Sequence, residues 1–405
     1  MKNNLCVLLL ALMLNRVYSR QTITALFGDA QLASRCRVQA LKNGFIKETV
    51  YKLRQRTTHT ITLYTLTKRG LKYLLDTNED IFGWLDAESA QELNILSTVD
   101  RGGKRKFRLS QDTMCMTVAQ KAGAYIPMDN YTCAPLSDLQ TDDLTIQDVV
   151  FAELTPELYE VLLEQSQARK DILFFRARCI KSFAREMDLG FAVQDYAKGR
   201  YNGAIISRYK NVLLYAAPMF GMAWSEWLTK KEYAAFRAWS RDHSIADAEQ
   251  LRNAGVCAAL VVYNEKQFIN LYRNVDGTVQ AGADFGGSYD HLYIIPQTKE
   301  GASHLRWLMT TDDISMNKEI VADAIDSRAY RKSTKAATSV FQLENLKGER
   351  TALGFHLDAK LINRIRDIAT RCPEETFGVL CFDWQEPYYA GVLPENVWIA
   401  TYEMT

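Results

Sequence analysis

Nothing in this sequence pairs its cysteines or its histidines. The eight cysteines (Cys6, Cys36, Cys115, Cys133, Cys179, Cys257, Cys372, Cys381) are scattered, with no CxxC and no Cys/His cluster at zinc-ligand spacing. Reduced, mostly buried thiols are expected. The five histidines (His59, His243, His291, His304, His356) never stand two apart, which removes a His-x-His metal site. Neither GxxxxGK[ST] nor GxSxG occurs, so neither a phosphate loop nor a nucleophile elbow is read, and no cofactor is expected. Eight prolines and 21 glycines in 405 residues are too few for a linker-rich or fibrous chain, and no repeat or low-complexity tract is found. What remains is a globular chain, 47% apolar, long enough for two or three domains.

Charge is scarce in sum and uneven in place. The net value is +1, yet the first 75 residues hold 13 Lys or Arg against only Asp29 and Glu48, a balance of 13 − 2 = +11. The rest of the chain is therefore −10. Between Ala122 and Ala168 there is no Lys or Arg at all, against nine acids. A basic block of this size within a folded segment is the footprint of a polyanion, usually nucleic acid.

The amino terminus has two readings. Lys2, the apolar run Leu5 to Leu14 and then Val17-Tyr18-Ser19 imitate a cleaved secretory signal. Cleavage would leave seven cysteines, an awkward odd count for an oxidising compartment. The run also serves as the first helix of a domain, and that use fits the helix and hairpin signals that succeed it in the chain. At roughly 12 residues it is too short to span a bilayer. A cytoplasmic, membrane-free protein is expected, with the secreted protein as its rival.

After the run, Ser19 is a good N-cap for a short helix Gln21 to Phe27, which Gly28 ends. Asp29 can cap a second helix running to about Lys42. Asn43-Gly44 breaks the chain, and two arms, Phe45 to Leu53 and His59 to Leu66, read as a hairpin with the basic tip Arg54-Gln55-Arg56-Thr57-Thr58. At 100° per residue the second helix gathers Ala33, Cys36, Ala40 and Leu41 on one side. Gln31, Ser34, Arg35, Gln39 and Lys42 fall on the other. That polar side carries groups able to read base edges, while Arg20, Lys52, Arg54 and Arg56 suit phosphates.

Ser19 to Phe27, Leu41-Lys42-Asn43-Gly44-Phe45-Ile46 and above all Tyr64-Thr65-Leu66-Thr67-Lys68-Arg69-Gly70 resemble a bacterial winged-helix regulator. The length and the large trailing region look most like the replication-relaxation proteins of plasmids and conjugative elements. The resemblance implies an α+β chain: a winged helix-turn-helix over 1–77 that binds double-stranded DNA, a connector over 78–165 and an α/β domain over 166–405. It implies replication or transcription control, and it leaves a homodimer open. In that family type the trailing domain looks like a restriction-endonuclease fold, which needs an Asp and a Glu-x-Lys to hold a divalent metal. Here the corresponding strand reads Val212-Leu213-Leu214-Tyr215-Ala216-Ala217-Pro218, without a carboxylate. A scaffold without nuclease chemistry is expected; a nuclease with metal ligands elsewhere is the alternative.

Other segments carry coarser expectations. Arg101 to Arg108 reads as a glycine-punctuated basic turn, and the acidic stretch 122–168 as a solvated helical connector or a DNA-mimicking brake. Helices are expected at Asp171 to Met187, around Lys230 to Trp239, Glu300 to Met309 and Asp358 to Thr370. Strands are expected near Ala204 to Ser207, Val212 to Tyr215, Val256 to Tyr263, His291 to Ile295 and Gly378 to Phe382. The alternation points to a mixed sheet. The aromatic stripe Trp224, Trp227, Tyr233, Phe236, Trp239 reads as helix core rather than a base-stacking platform.

Overall fold

A computed structural model of the chain describes residues 2–52, 60–77, 103–124, 171–177, 180, 201–217, 232–234, 236–240, 255–272, 289–333 and 340–402. They mix helices with parallel and antiparallel strands, an α+β fold. Contacts divide the chain into two units: one of Met1–Leu189, Tyr201–Ile205 and Gln297–Ala302, the other of Gly190–Arg200, Ile206–Pro296 and Ser303–Thr405.

The first unit is built on α1 (Lys2–Asn15), the apolar run of the amino terminus. Every residue from Leu5 to Met13 is buried, most at 1% exposure or less. A helix with no polar face is stable only when it is covered all round. After β1 (Tyr18–Ser19) comes α2 (Arg20–Phe27), whose first turn is capped by the Ser19 hydroxyl accepting from the Thr22 N–H at 3.1 Å. Gly28 ends it at φ 71°, the left-handed conformation that glycine adopts without strain. Asp29 then caps α3 (Ala30–Lys42), accepting from the N–H groups of Gln31 at 2.7 Å and Leu32 at 3.0 Å.

The arms β2 (Ile46–Lys52) and β3 (Thr60–Leu66) pair antiparallel from Ile46↔Leu66 to Lys52↔Thr60, and β1 adds to the far edge of β3. Here the Tyr64–Gly70 phrase shows its mechanics. The Thr67 hydroxyl accepts from the Gly70 N–H at 3.1 Å, starting α4 (Lys68–Thr77). Gly70 itself lies against the Phe45 carbonyl, so close that a Cβ would sit 2.1 Å from its oxygen.

Two expectations are corrected in this unit. From Gly103 onward the basic stretch is no turn but the start of α5 (Gly103–Lys121). Gly103 lets the helix meet the Tyr51 ring, where a Cβ would come within 2.7 Å; Phe107 stacks on that ring, and buried Lys106 donates to the Thr49 hydroxyl at 3.1 Å. Contact with β2, invisible in sequence, turns a basic loop signal into a docked helix. Likewise Asp171 onward opens not a helix but β4 (Ile172–Arg176), with Ile172, Phe174 and Arg176 buried in strand alternation. The Arg176 guanidinium donates to the Asn15 carboxamide oxygen at the end of α1 and to the Met116 sulfur on α5.

The chain returns to the second unit within β5 (Gly203–Ser207), which turns into β6 (Asn211–Ala216), the Ser207 hydroxyl accepting from the N–H groups of Tyr209 and Lys210. Next in parallel order come β7 (Cys257–Val262) and β8 (His291–Pro296), with α6 (Glu265–Tyr272) between them in sequence. All residues of β6 and β7 are buried, as expected of strands covered on both faces. Helices α7 (Lys299–Thr310) and α8 (Asp313–Asp326) come after β8. A second sheet has the order β13-β12-β11-β10-β9, from β9 (Tyr330–Lys332), β10 (Leu343–Asn345), β11 (Arg350–Leu353), β12 (Phe377–Phe382) and β13 (Val397–Tyr402). Its last three strands are parallel and its first two antiparallel. Between β11 and β12 runs α9 (Ala359–Arg371), and between β12 and β13 the short α10 (Glu386–Ala390).

Asp358 fastens α9 to β8. Its carboxylate accepts from the N–H groups of Lys360 (2.9 Å) and Leu292 (3.0 Å) and meets His291 Nδ1 at 2.9 Å. Burial pushes its pKa up, but these partners outweigh burial and hold it below the usual carboxylate value. His304 lies fully buried among Trp307, Phe382 and Trp384, with Nε2–H donating to the His356 carbonyl and Nδ1 without a hydrogen-bond partner among the described residues. Burial lowers its pKa to about 3.

Leu12→Asp buries an unpaired carboxylate where the leucine is 1% exposed, and should cost several kcal/mol, a large share of the about 5–15 kcal/mol that holds a domain. Circular dichroism on heating checks it; an unchanged melting curve would remove α1 from the core. Acid acts on His304. The unfolded side chain takes up a proton near pH 6.5 that the folded chain refuses until about pH 3, so its contribution to stability is lost progressively as pH falls below 6.5. His304→Gln, which retains an N–H for the His356 carbonyl, should flatten that part of the pH–stability curve.

Candidate nucleic-acid interface

Burial sorts α3 into two sides. Ala33, Cys36 and Ala40 are buried, as the 100° spacing requires, and Leu41 is half-buried. Gln31, Arg35 and Lys42 are exposed, while Ser34 and Gln39 sit half-buried at the margins. The Arg35 guanidinium donates to the Gln31 carboxamide oxygen at 3.3 Å, a pair one helical turn apart on the open side. Asp29 at the start of the helix is held below its usual pKa by the N–H groups of Leu32 and Gln31, so it stays a charged cap.

Of the other expected residues, Arg20 stands exposed at the first position of α2 and Lys52 exposed at the end of β2. Arg54 and Arg56, at the hairpin tip, lie outside the described residues. The structure thus gathers Gln31, Arg35 and Lys42 on one open face of α3, edged by Ser34 and Gln39.

Two features of this face escape a reading of the sequence. Val38 is 54% exposed, and 100° spacing sets it on the same open side as Gln31, Arg35 and Lys42. An apolar residue on a polar helix face is the available signal. Arg37 is not a surface cation but a tie: its guanidinium donates to the Tyr64 hydroxyl at 2.9 Å, and that hydroxyl donates to the Glu48 carboxylate at 2.9 Å. Burial raises the pKa of Tyr64, so it keeps the proton it donates. Glu48, one of only two acids among the first 75 residues, is spent on fixing α3 to both hairpin strands. No spacing rule links positions 37, 48 and 64, so only the pairing of β2 with β3 could reveal the tie.

Elsewhere the described residues hold no group of three His, Cys, Asp or Glu able to take a metal ion. Cys6, Cys36, Cys115, Cys257 and Cys381 are buried and Cys372 half-buried, all unbridged. From the aromatic stripe, Phe236 and Trp239 are core residues stacked on each other, while Trp224 and Trp227 lie outside the described residues. The acidic stretch 125–168 also lies outside them. No described helix is long and apolar enough to cross a membrane. No family model, no curated protein and no solved structure matches the chain.

Tyr64→Phe deletes both hydrogen bonds of the tie and leaves two half-satisfied charges, at an expected cost of about 1–3 kcal/mol. The urea midpoint measures it, and an unshifted midpoint would show that packing alone holds α3.

Proposed function

We propose that residues 1–77 form a winged helix-turn-helix that binds double-stranded DNA, in a cytoplasmic protein of a plasmid or other mobile element that controls replication or transcription. The observation that carries this reading is the open face of α3, with Gln31, Arg35 and Lys42 toward solvent, inside a segment of charge +11. A helix of this size fits the major groove, where Arg reads guanine and Gln reads adenine through paired hydrogen bonds. Val38 offers a methyl contact for thymine. Ser34 and Gln39 flank the reading face; Lys42, Arg20, Lys52, Arg54 and Arg56 neutralise phosphates, the last two from the wing. An interaction module for another protein has no need of so one-sided a charge.

In this reading the chain binds and does not cut. The strand that would carry nuclease carboxylates, β6, offers none and is buried throughout. A homodimer would present two such helices to a two-fold target.

Binding of the full chain to a randomised duplex pool, followed by selection, tests the proposal. Arg35→Ala should cost about 1–3 kcal/mol and relax preference at one position of the selected site. Replacing Arg54 and Arg56 together by Ala should weaken all duplexes alike and flatten the salt slope by roughly 1 to 2 units. Failure of the full chain to retain any duplex at low salt would sink the reading, and magnesium-dependent cleavage of plasmid DNA would replace it with the nuclease.

A further inference from the structure

The second unit contains a cavity of about 380 Å³, within the roughly 300–1,000 Å³ of small-molecule sites. It lies at the carboxyl ends of the parallel strands β11, β12 and β13: Phe382 and Tyr402 end their strands, and Phe355 stands two residues beyond β11. Open α/β sheets bind ligands at this end, because the loops that diverge there leave a crevice.

The walls state what the cavity takes. Phe355 packs edge-on against both Phe382 and Tyr402, and Trp307 packs edge-on against Phe382, giving a continuous aromatic surface. Tyr402, half exposed, is one of only four large hydrophobic side chains exposed among the described residues. From α8 come Glu319 and Asp323, one helical turn apart and both exposed, with no ion-pair partner among the described residues. Among the described residues, no Lys, Arg or His lines the cavity.

We infer that this cavity is a binding site for a flat aromatic cation, a substituted ammonium or a charged nitrogen heteroaromatic. The ring system enters the aromatic surface and displaces water from it. The positive charge lies over the negative ring faces and beside the two carboxylates, where cation–π and ion-pair attraction act together. An anion of the same size meets the two like charges of Glu319 and Asp323 and no cation among the described lining residues. The inference stands apart from the DNA reading, since none of its residues belongs to 1–77.

Thioflavin T, a flat cation whose fluorescence rises when it is immobilised, tests the site on the full chain without DNA. A saturable rise, reversed by benzyltrimethylammonium, is expected. Glu319→Gln with Asp323→Asn should weaken binding about fivefold or more, the scale of two exposed ion pairs. Melting should not change, because both side chains are exposed and unpaired. Tyr402→Ala should also weaken binding. Unchanged affinity in the double variant, equally tight binding of the anion 8-anilinonaphthalene-1-sulfonate, or no saturable binding would each overturn the assignment.

Discussion

A helix without a polar face has to be enclosed, and the first unit is organised by that requirement. Residues Leu5 to Met13 are buried on every side of α1, so α3, α4 and β3 must all come to it. The buried side of α3 is made of small residues, Ala33, Cys36 and Ala40. Once that side is spent on the core, Gln31, Arg35, Val38 and Lys42 fall on the exposed side. The side of α3 that can meet another molecule is thus set by the helix that can meet none.

Directional polar contacts then fix what apolar packing leaves loose. Hydrophobic contact is non-directional, while a hydrogen bond has a narrow range of length and angle. Arg37, Tyr64 and Glu48 lock α3 to the hairpin, and Arg176 joins the end of α1 to β4 and α5. In the second unit Asp358 does the same for α9 and β8. There β12 is buried throughout, and the cavity opens where it and its two parallel neighbours end.

Much of the first unit is legible in sequence because its signals are local. Ser19, Gly28 and Asp29 act within three or four residues of themselves, and a hairpin joins near neighbours. In the second unit the apolar runs at 257–262 and 291–296 are long enough, and close enough to turn signals, to be read as strands. Ile172-Leu173-Phe174-Phe175 misleads because a short apolar run fits a buried helix as well as a buried strand. The small strands β9 to β11, of three or four residues each, carry too little pattern to read. Among the candidate binding residues, the charged and amide groups of α3 come from spacing and residue type, whereas Val38, on the same side by spacing, is singled out by its exposure.

By itself the sequence determined which residues cap the starts of α2 and α3, where both end, which face of α3 is polar, and where positive charge concentrates. These depend on neighbours three or four residues away and on composition. Only the tertiary structure decided that Arg37 is a tie rather than a contact for another molecule, that 103–108 is a docked helix start, and that Trp307, Phe355, Phe382 and Tyr402 share one cavity. Each of those facts joins residues tens of positions apart, and such contacts form only when the chain has closed the loops between them.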